Sequence, residues 1–159
     1  MNRMKTFTMV TLASWLWLAG ADGKKRMQTT TIPAEWRDKV TDAAQLPVEN
    51  NSWGTLQWLC NGKLSPGAAQ TVGIATILPG QRNPVHFHPN CEEVLHVLSG
   101  RGRQSYDGRA IELQAGMTIR IPAGVKHNLV NTGAETLKAL ISFSNGDRQT
   151  VFLEAQPSK

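Results

Sequence analysis

Four histidines carry most of the chemical information in this chain, and three of them share one stretch. That stretch runs from Gly80 to Gly100, GQRNPVHFHPNCEEVLHVLSG, and the fourth, His127, lies in Gly116 to Asn131, GMTIRIPAGVKHNLVN. His86 and His88 flank the single residue Phe87. On a β-strand such positions point to one face, so the two imidazoles form a clamp with Phe87 directed away. Pro89-Asn90 supplies turn chemistry. The chain then returns as Glu93-Val94-Leu95-His96-Val97-Leu98, rich in β-formers, and stops at Ser99-Gly100. Glu93 opens that strand and can aim a carboxylate back at the clamp. With His127 it completes three imidazoles and one carboxylate, a donor set suited to a divalent zinc, iron, manganese, nickel or copper ion.

One histidine on a strand is ordinarily structural, and only the joint pattern points to a metal. The carboxylate has a rival in Glu92. Alternation from Glu93 places Leu95 and Val97 on the same face, a sensible apolar lining, whereas alternation from Glu92 would turn His96 inward. This face argument selects Glu93. It leaves His96 on the opposite face with Val94 and Leu98, as a packed or interface residue. An apolar outer face needs a cover, which the N-terminal arm or a second subunit would supply; a homodimer is the expectation. Cys60 and Cys91 are the only cysteines. Nothing in the sequence fixes their separation, and two free thiols are expected rather than a disulfide.

The elements that must position these groups are short and β-rich. Ser52 to Cys60 and Gln70 to Leu78 read as strands, the latter with Val72, Ile74, Thr76 and Leu78 on one face. Gly62 to Gly67 reads as a loop. Asp107-Gly108 between Arg101–Tyr106 and Arg109–Leu113 is a strong hairpin signal. Met117 to Ile121 ends at Pro122, and the Ala123-Gly124 turn delivers His127 to the next strand. Leu137 to Phe143 and Gln149 to Leu153 close the series. Strands at this spacing, without a long helix or an internal repeat, read as a sandwich or barrel. Tyr106, Arg103, Arg120 and Gln70 are candidate cavity residues.

The two stretches together resemble the paired motifs of the cupin superfamily. Gly80, His86, His88, Glu93 and Gly100 fit the first motif, with four residues between His88 and Glu93. Gly116, Pro122, Gly124, His127 and Asn131 fit the second. The resemblance covers residues 53–153. It implies an all-β fold, the double-stranded β-helix or jelly-roll cupin barrel, with a metal held by His86, His88, Glu93 and His127. It implies no single reaction, because this fold hosts many. Four ligands on an ion that accepts five or six leave open positions for a small-molecule substrate, water or dioxygen. A metal-dependent oxygenase, decarboxylase, isomerase or lyase is one expectation. A binding protein for a small carboxylate is the other, because Ile77 to Asn131, with Cys-Glu-Glu-Val at 91–94, is similar to the plant auxin-binding cupins. Relative to them the chain has one extra residue between His88 and Glu93 and a shorter segment between the motifs.

Composition bounds the remainder. A chain of 159 residues, 40% hydrophobic and 18% charged, suits one domain with a real core. Arg3 and Lys5, the apolar run Phe7 to Leu18 and Ala19-Gly20-Ala21 read as a secretory signal over residues 1–21. The alternative is a start at Met27. The apolar run is short for a membrane span, so no stable membrane anchor is expected after cleavage. The mature protein is then expected to be secreted or periplasmic. Without Arg3 and Lys5 the net charge falls from +5 to +3, and no basic stripe or recognition motif remains to suggest nucleic-acid binding. Residues 22–51 read as an arm and linker with a helical turn at 34–39, residues 52–154 as the barrel and 155–159 as a tail. In small cupins such an arm lies against a partner subunit, by the same resemblance.

Overall fold

The computed structural model describes residues 32–154. The expected signal segment, the first part of the arm and the tail at 155–159 lie outside the described residues. The strands are β1 (Glu49–Asn51), β2 (Gly54–Cys60), β3 (Thr71–Ile77), β4 (His86–Phe87), β5 (Glu93–Ser99), β6 (Arg101–Tyr106), β7 (Arg109–Gln114), β8 (Thr118–Ile121), β9 (His127–Asn131), β10 (Leu137–Phe143) and β11 (Val151–Phe152). They form two antiparallel sheets. One has six strands in the order β1-β2-β3-β10-β5-β8, and the other has five in the order β11-β4-β9-β6-β7. Facing sheets of this kind make the jelly-roll barrel.

Local chemistry explains the joints. Asp107 and Gly108 both adopt positive φ, 48° and 81°, which is the backbone of a two-residue hairpin turn matching the strand twist. Tyr106 consequently pairs with Arg109. A second two-residue connection, Ser52-Trp53, joins β1 to β2. Gly54 is required at its exit, since a Cβ there would fall 1.9 Å from the Thr76 carbonyl oxygen. The six-stranded sheet therefore begins at Glu49, inside the segment read as linker. Its sequence, Glu-Asn-Asn, has no apolar alternation, so only pairing with β2 makes it a strand.

The described part of the arm docks on its own chain. Its turns at Ala34–Trp36 and Ala43–Gln45 are 3-10 helical. Thr41 Oγ1 donates to the Leu59 carbonyl at 3.1 Å, and Gln57 Nε2 donates to the Ala43 carbonyl at 2.7 Å. Residues 41–46 thus lie on β2 of their own chain.

Alternation decides what lines the interior. On β5, Glu93, Leu95 and Val97 are buried while Val94 and Leu98 are exposed. On β3 the inward phase is Thr71, Gly73, Ala75 and Ile77. The more hydrophobic set, Val72, Ile74, Thr76 and Leu78, takes the partly exposed outer face. Small residues are needed inside because the Trp58 ring lies over Gly73, where a Cβ would come within 2.7 Å of it. One end of the interior is closed by Ile77, Val97, Leu113, Leu137 and Ala139. Asn131 ties that end together: its Nδ2 donates to the carbonyls of Ile77 at 2.9 Å and Glu135 at 2.8 Å, and its Oδ1 accepts from Gly133 N–H. A buried amide so fully satisfied costs little and fixes one register.

Candidate metal centre

The other end of the interior is polar. His86 on β4 stands directly opposite His127 on β9 in the five-stranded sheet. His88 follows β4, and the Pro89-Asn90 turn then carries the chain across to the six-stranded sheet, where Glu93 opens β5. The crossing is held in place at both ends. Asn90 Nδ2 donates to the Asp147 carbonyl and its Oδ1 accepts from Gln149 N–H. Gly124 N–H donates to the His88 carbonyl at 2.9 Å, docking the turn before His127 onto the same loop.

All four side chains are buried, and one donor atom from each lies within 4.8 Å of the others. The ring centroids of His86 and His127 are 4.3 Å apart, and those of His86 and His88 are 5.0 Å apart. Each ring is oriented by a backbone carbonyl 2.8 Å from its Nδ1: Pro84 for His86, Gln149 for His88 and Val125 for His127. A carbonyl can only accept, so each Nδ1 carries the proton and each Nε2 turns its lone pair inward. This is the outer support that orients metal-binding imidazoles.

The inward atoms show that a cation belongs there. Glu93 Oε2 lies 3.0 Å from His127 Nε2 and 3.3 Å from His88 Nε2. With neutral rings these contacts set acceptor against acceptor, and His88 Nε2 is buried without a hydrogen-bond partner. A divalent ion resolves both conflicts, and the donor set of three nitrogens and one carboxylate fits it. Without the ion, protons take its place. Burial opposes charging of Glu93, yet the close His127 and His88 imidazoles prevail and hold the carboxyl down at about 2. Burial likewise opposes protonation of His127, but the Glu93 carboxylate raises its pKa. His86 lacks a carboxylate contact; burial and the neighbouring His127 depress it from 6.5 to about 4.

Glu93 is the carboxylate brought to the cluster, as the face argument required. Glu92 points outward and accepts from Arg120 Nε at 2.8 Å. His96 is on the outer face, with Nδ1 2.8 Å from Thr118 Oγ1. Cys60 and Cys91 are free thiols, the first half-buried and the second buried.

A cavity of about 310 Å³ opens onto His86 and His88. Leu56, Trp58, Leu95, Leu129, Ile141, Phe143 and Phe152 give it a mostly apolar wall, with Glu49, Arg148 and Thr150 as polar members. Tyr106, Arg103, Arg120 and Gln70 do not line it. Arg103, Arg120 and Gln70 are exposed, and Arg120 is occupied by Glu92. The cavity's cation is Arg148, which sequence reasoning passed over. It sits in the loop Asn145-Gly-Asp-Arg-Gln-Thr, where no strand phase announces which way a side chain turns. Trp58 and Phe143 were legible in principle as inward positions of β2 and β10.

Comparison with known proteins places this geometry. Residues 73–143 match the family model of the cupin domain. The chain is 28% identical over 108 residues to polyketide synthase CurC of Streptomyces cyaneus, covering 68% of this chain and 70% of that protein. It is 37% identical over 82 residues to auxin-binding protein 1 of Arabidopsis thaliana, covering 46% of this chain and 41% of that one. Among solved structures it superposes on the formate complex of Lactobacillus farciminis oxalate decarboxylase with a TM-score of 0.65 and 25% identity. That match takes in 69% of this chain but only 34% of the decarboxylase, so the chain spans about a third of its length. With two facing antiparallel sheets and a buried three-histidine, one-carboxylate cluster between them, the chain carries a cupin domain at residues 73–143.

Proposed function

We propose that His86, His88, Glu93 and His127 are the ligands of a divalent metal, and that the protein is a metal-dependent enzyme acting on a small oxygen-bearing molecule. The reaction belongs to the oxygenase, decarboxylase, isomerase or lyase type. One observation carries the proposal: a buried cluster of four donors opens directly into a cavity of small-molecule size. The metal, when bound, would polarise an oxygen of the substrate or acidify a bound water. The chain's own residues do the rest. Three carbonyl-anchored Nδ1 protons hold the imidazoles in one tautomer. Glu93 contributes the negative charge. The apolar wall of Trp58, Phe143 and Phe152 excludes water from the bound molecule.

A second reading has its own support. Apart from His86, His88 and Arg148, the only titratable group on the wall among the described residues is Glu49, and its Oε1 already accepts from the Trp58 indole at 3.0 Å. A site so short of a free proton donor suits a binding protein for a small carboxylate, which is also what the name of the auxin-binding relative suggests. Identifying the native metal and then measuring oxygen uptake and product formation with enol, catechol and keto-acid substrates separates the two. Turnover that vanishes on chelation supports the enzyme. Carboxylate binding with no product from any substrate sinks it.

The proposal extends to residence and assembly. The basic n-region, apolar run and Ala-Gly-Ala site support export to the periplasm or medium. The outer face of β5, where Val94 is 37% exposed and Leu98 44%, supports a homodimer.

A further inference from the structure

Arg148 is the one charged group of the cavity wall that none of this explains. Its guanidinium lies over the Trp58 ring, with Cζ 4.5 Å from the centroid, and 5.0 Å from the centroid of Phe143. Nη1 donates to Thr150 Oγ1. It forms no ion pair among the described residues. Glu49 and Glu93 act on it from beyond contact, and Glu49 is engaged by the Trp58 indole. A half-buried guanidinium with one of its five donors accounted for is costly to leave unpaired.

We propose that Arg148 is the anion-recognition residue of this cavity, and that the molecule held beside the cluster is a small monocarboxylate with an apolar body. Three observations converge on it. The cation and the cluster share a wall: the Phe143 ring that carries Arg148 also meets the edge of His88 at 4.8 Å, and Thr150 Oγ1 lies 3.3 Å from His88 Nδ1. The charge is unbalanced. A divalent ion with Glu93 as its single carboxylate leaves one positive charge, Arg148 adds another and Glu49 on the same wall removes one, so the remaining positive charge is neutralised by one incoming carboxylate. The placement is selective, because a guanidinium lying over two aromatic rings is restrained and keeps N–H donors for the two oxygens of a carboxylate. The remaining wall, including Leu56, Ile141 and Phe152, leaves a space of about 310 Å³ for an apolar body. This inference rests on the reading of the cluster as a metal site, and it goes further by naming the substrate class and its second anchor.

The test uses phenylacetate and its neutral isostere phenylacetamide as probes, titrated calorimetrically into the purified protein with metal content measured in every preparation. Wild type should bind the carboxylate at least about tenfold more tightly than the amide, the scale of a charge-assisted hydrogen-bonded pair. R148Q should lose that preference while retaining its metal. R148M is the companion variant, since an apolar side chain of similar length packs between Trp58 and Phe143 and keeps the fold where Gln fails. It too should bind the two probes about equally. A preference that persists in the uncharged variants means the cluster alone selects the carboxylate, and overturns the proposal. So does a wild type that binds neither probe or does not discriminate. Repeating the titration on chelator-treated wild type separates this from the metal reading: a surviving preference belongs to Arg148, whereas a metal-free native protein counts against the cluster assignment only.

Discussion

The two ends of the barrel interior are buried to the same degree and built on opposite terms. At the closed end Val97, Leu137 and Ala139 have no exposed surface, and the one polar residue among them, Asn131, spends its amide on its own backbone. At the open end His88 and Glu93 are 3% and 4% exposed, yet His88 Nε2 has no partner and Glu93 faces two imidazoles with one oxygen. At one end the Asn131 amide has its polar atoms satisfied internally and contributes stability. The other end leaves its donors for an ion and contributes function, and a local weakness in cohesion is expected where chemistry is done. Within one core, burial alone therefore does not separate structural from functional residues; the convergence of four donor atoms at one place does.

The largest effects should come from breaking the open end. His88→Ala and Glu93→Gln should each weaken metal retention by more than about 100-fold, beyond the range typical for outer-sphere partners, and leave the barrel folded. Glu92→Gln should bind metal as wild type does. Elemental analysis with circular dichroism checks all three, and metal lost equally from the Glu92 variant would refute the assignment of Glu93. Next in size is the closed end. Leu137→Ala should cost about 2–5 kcal/mol in urea unfolding through the cavity it leaves, without changing metal content per folded chain. Coupled loss of metal would mean that the two ends are not independent.

A smaller effect sharpens the comparison through pH. In metal-free protein His86 has its folded pKa depressed from 6.5 to about 4, so the unfolded chain takes up its proton first on acidification. Its contribution is present above pH 6.5 and is lost as pH falls toward 4. Glu93, held at about 2 against an ordinary 4.5, continues the loss below pH 4.5. His127, raised by Glu93, acts in the opposite sense: its contribution is full below 6.5 and fades as pH rises through its folded pKa. Melting temperatures of chelated protein across pH 3 to 8 should therefore decline through the acid range, and His86→Phe should flatten the segment between 6.5 and 4. The smallest effect is the surface control. Arg120→Ala removes a solvent-exposed pair with Glu92 and should leave melting temperature and metal content unchanged.

Much of this was present in the linear order of residues. Side chains two apart on a strand share a face whatever the tertiary structure, so the His86–His88 clamp and the choice of Glu93 over Glu92 followed from alternation. The Asp107-Gly108 hairpin followed from local backbone preference. The tertiary structure decided what alternation leaves open. It set which face of β3 turns inward, because the Trp58 ring needs Gly73 beneath it. It made a strand of Glu49–Asn51, because only pairing with β2 orders that segment. Above all it brought Arg148 from an irregular loop onto Trp58 and Phe143, and His127 onto Glu93 across two sheets. Direction along a strand is a property of neighbouring residues, but the meeting of distant ones depends on how the sheets close, and no local rule carries that information.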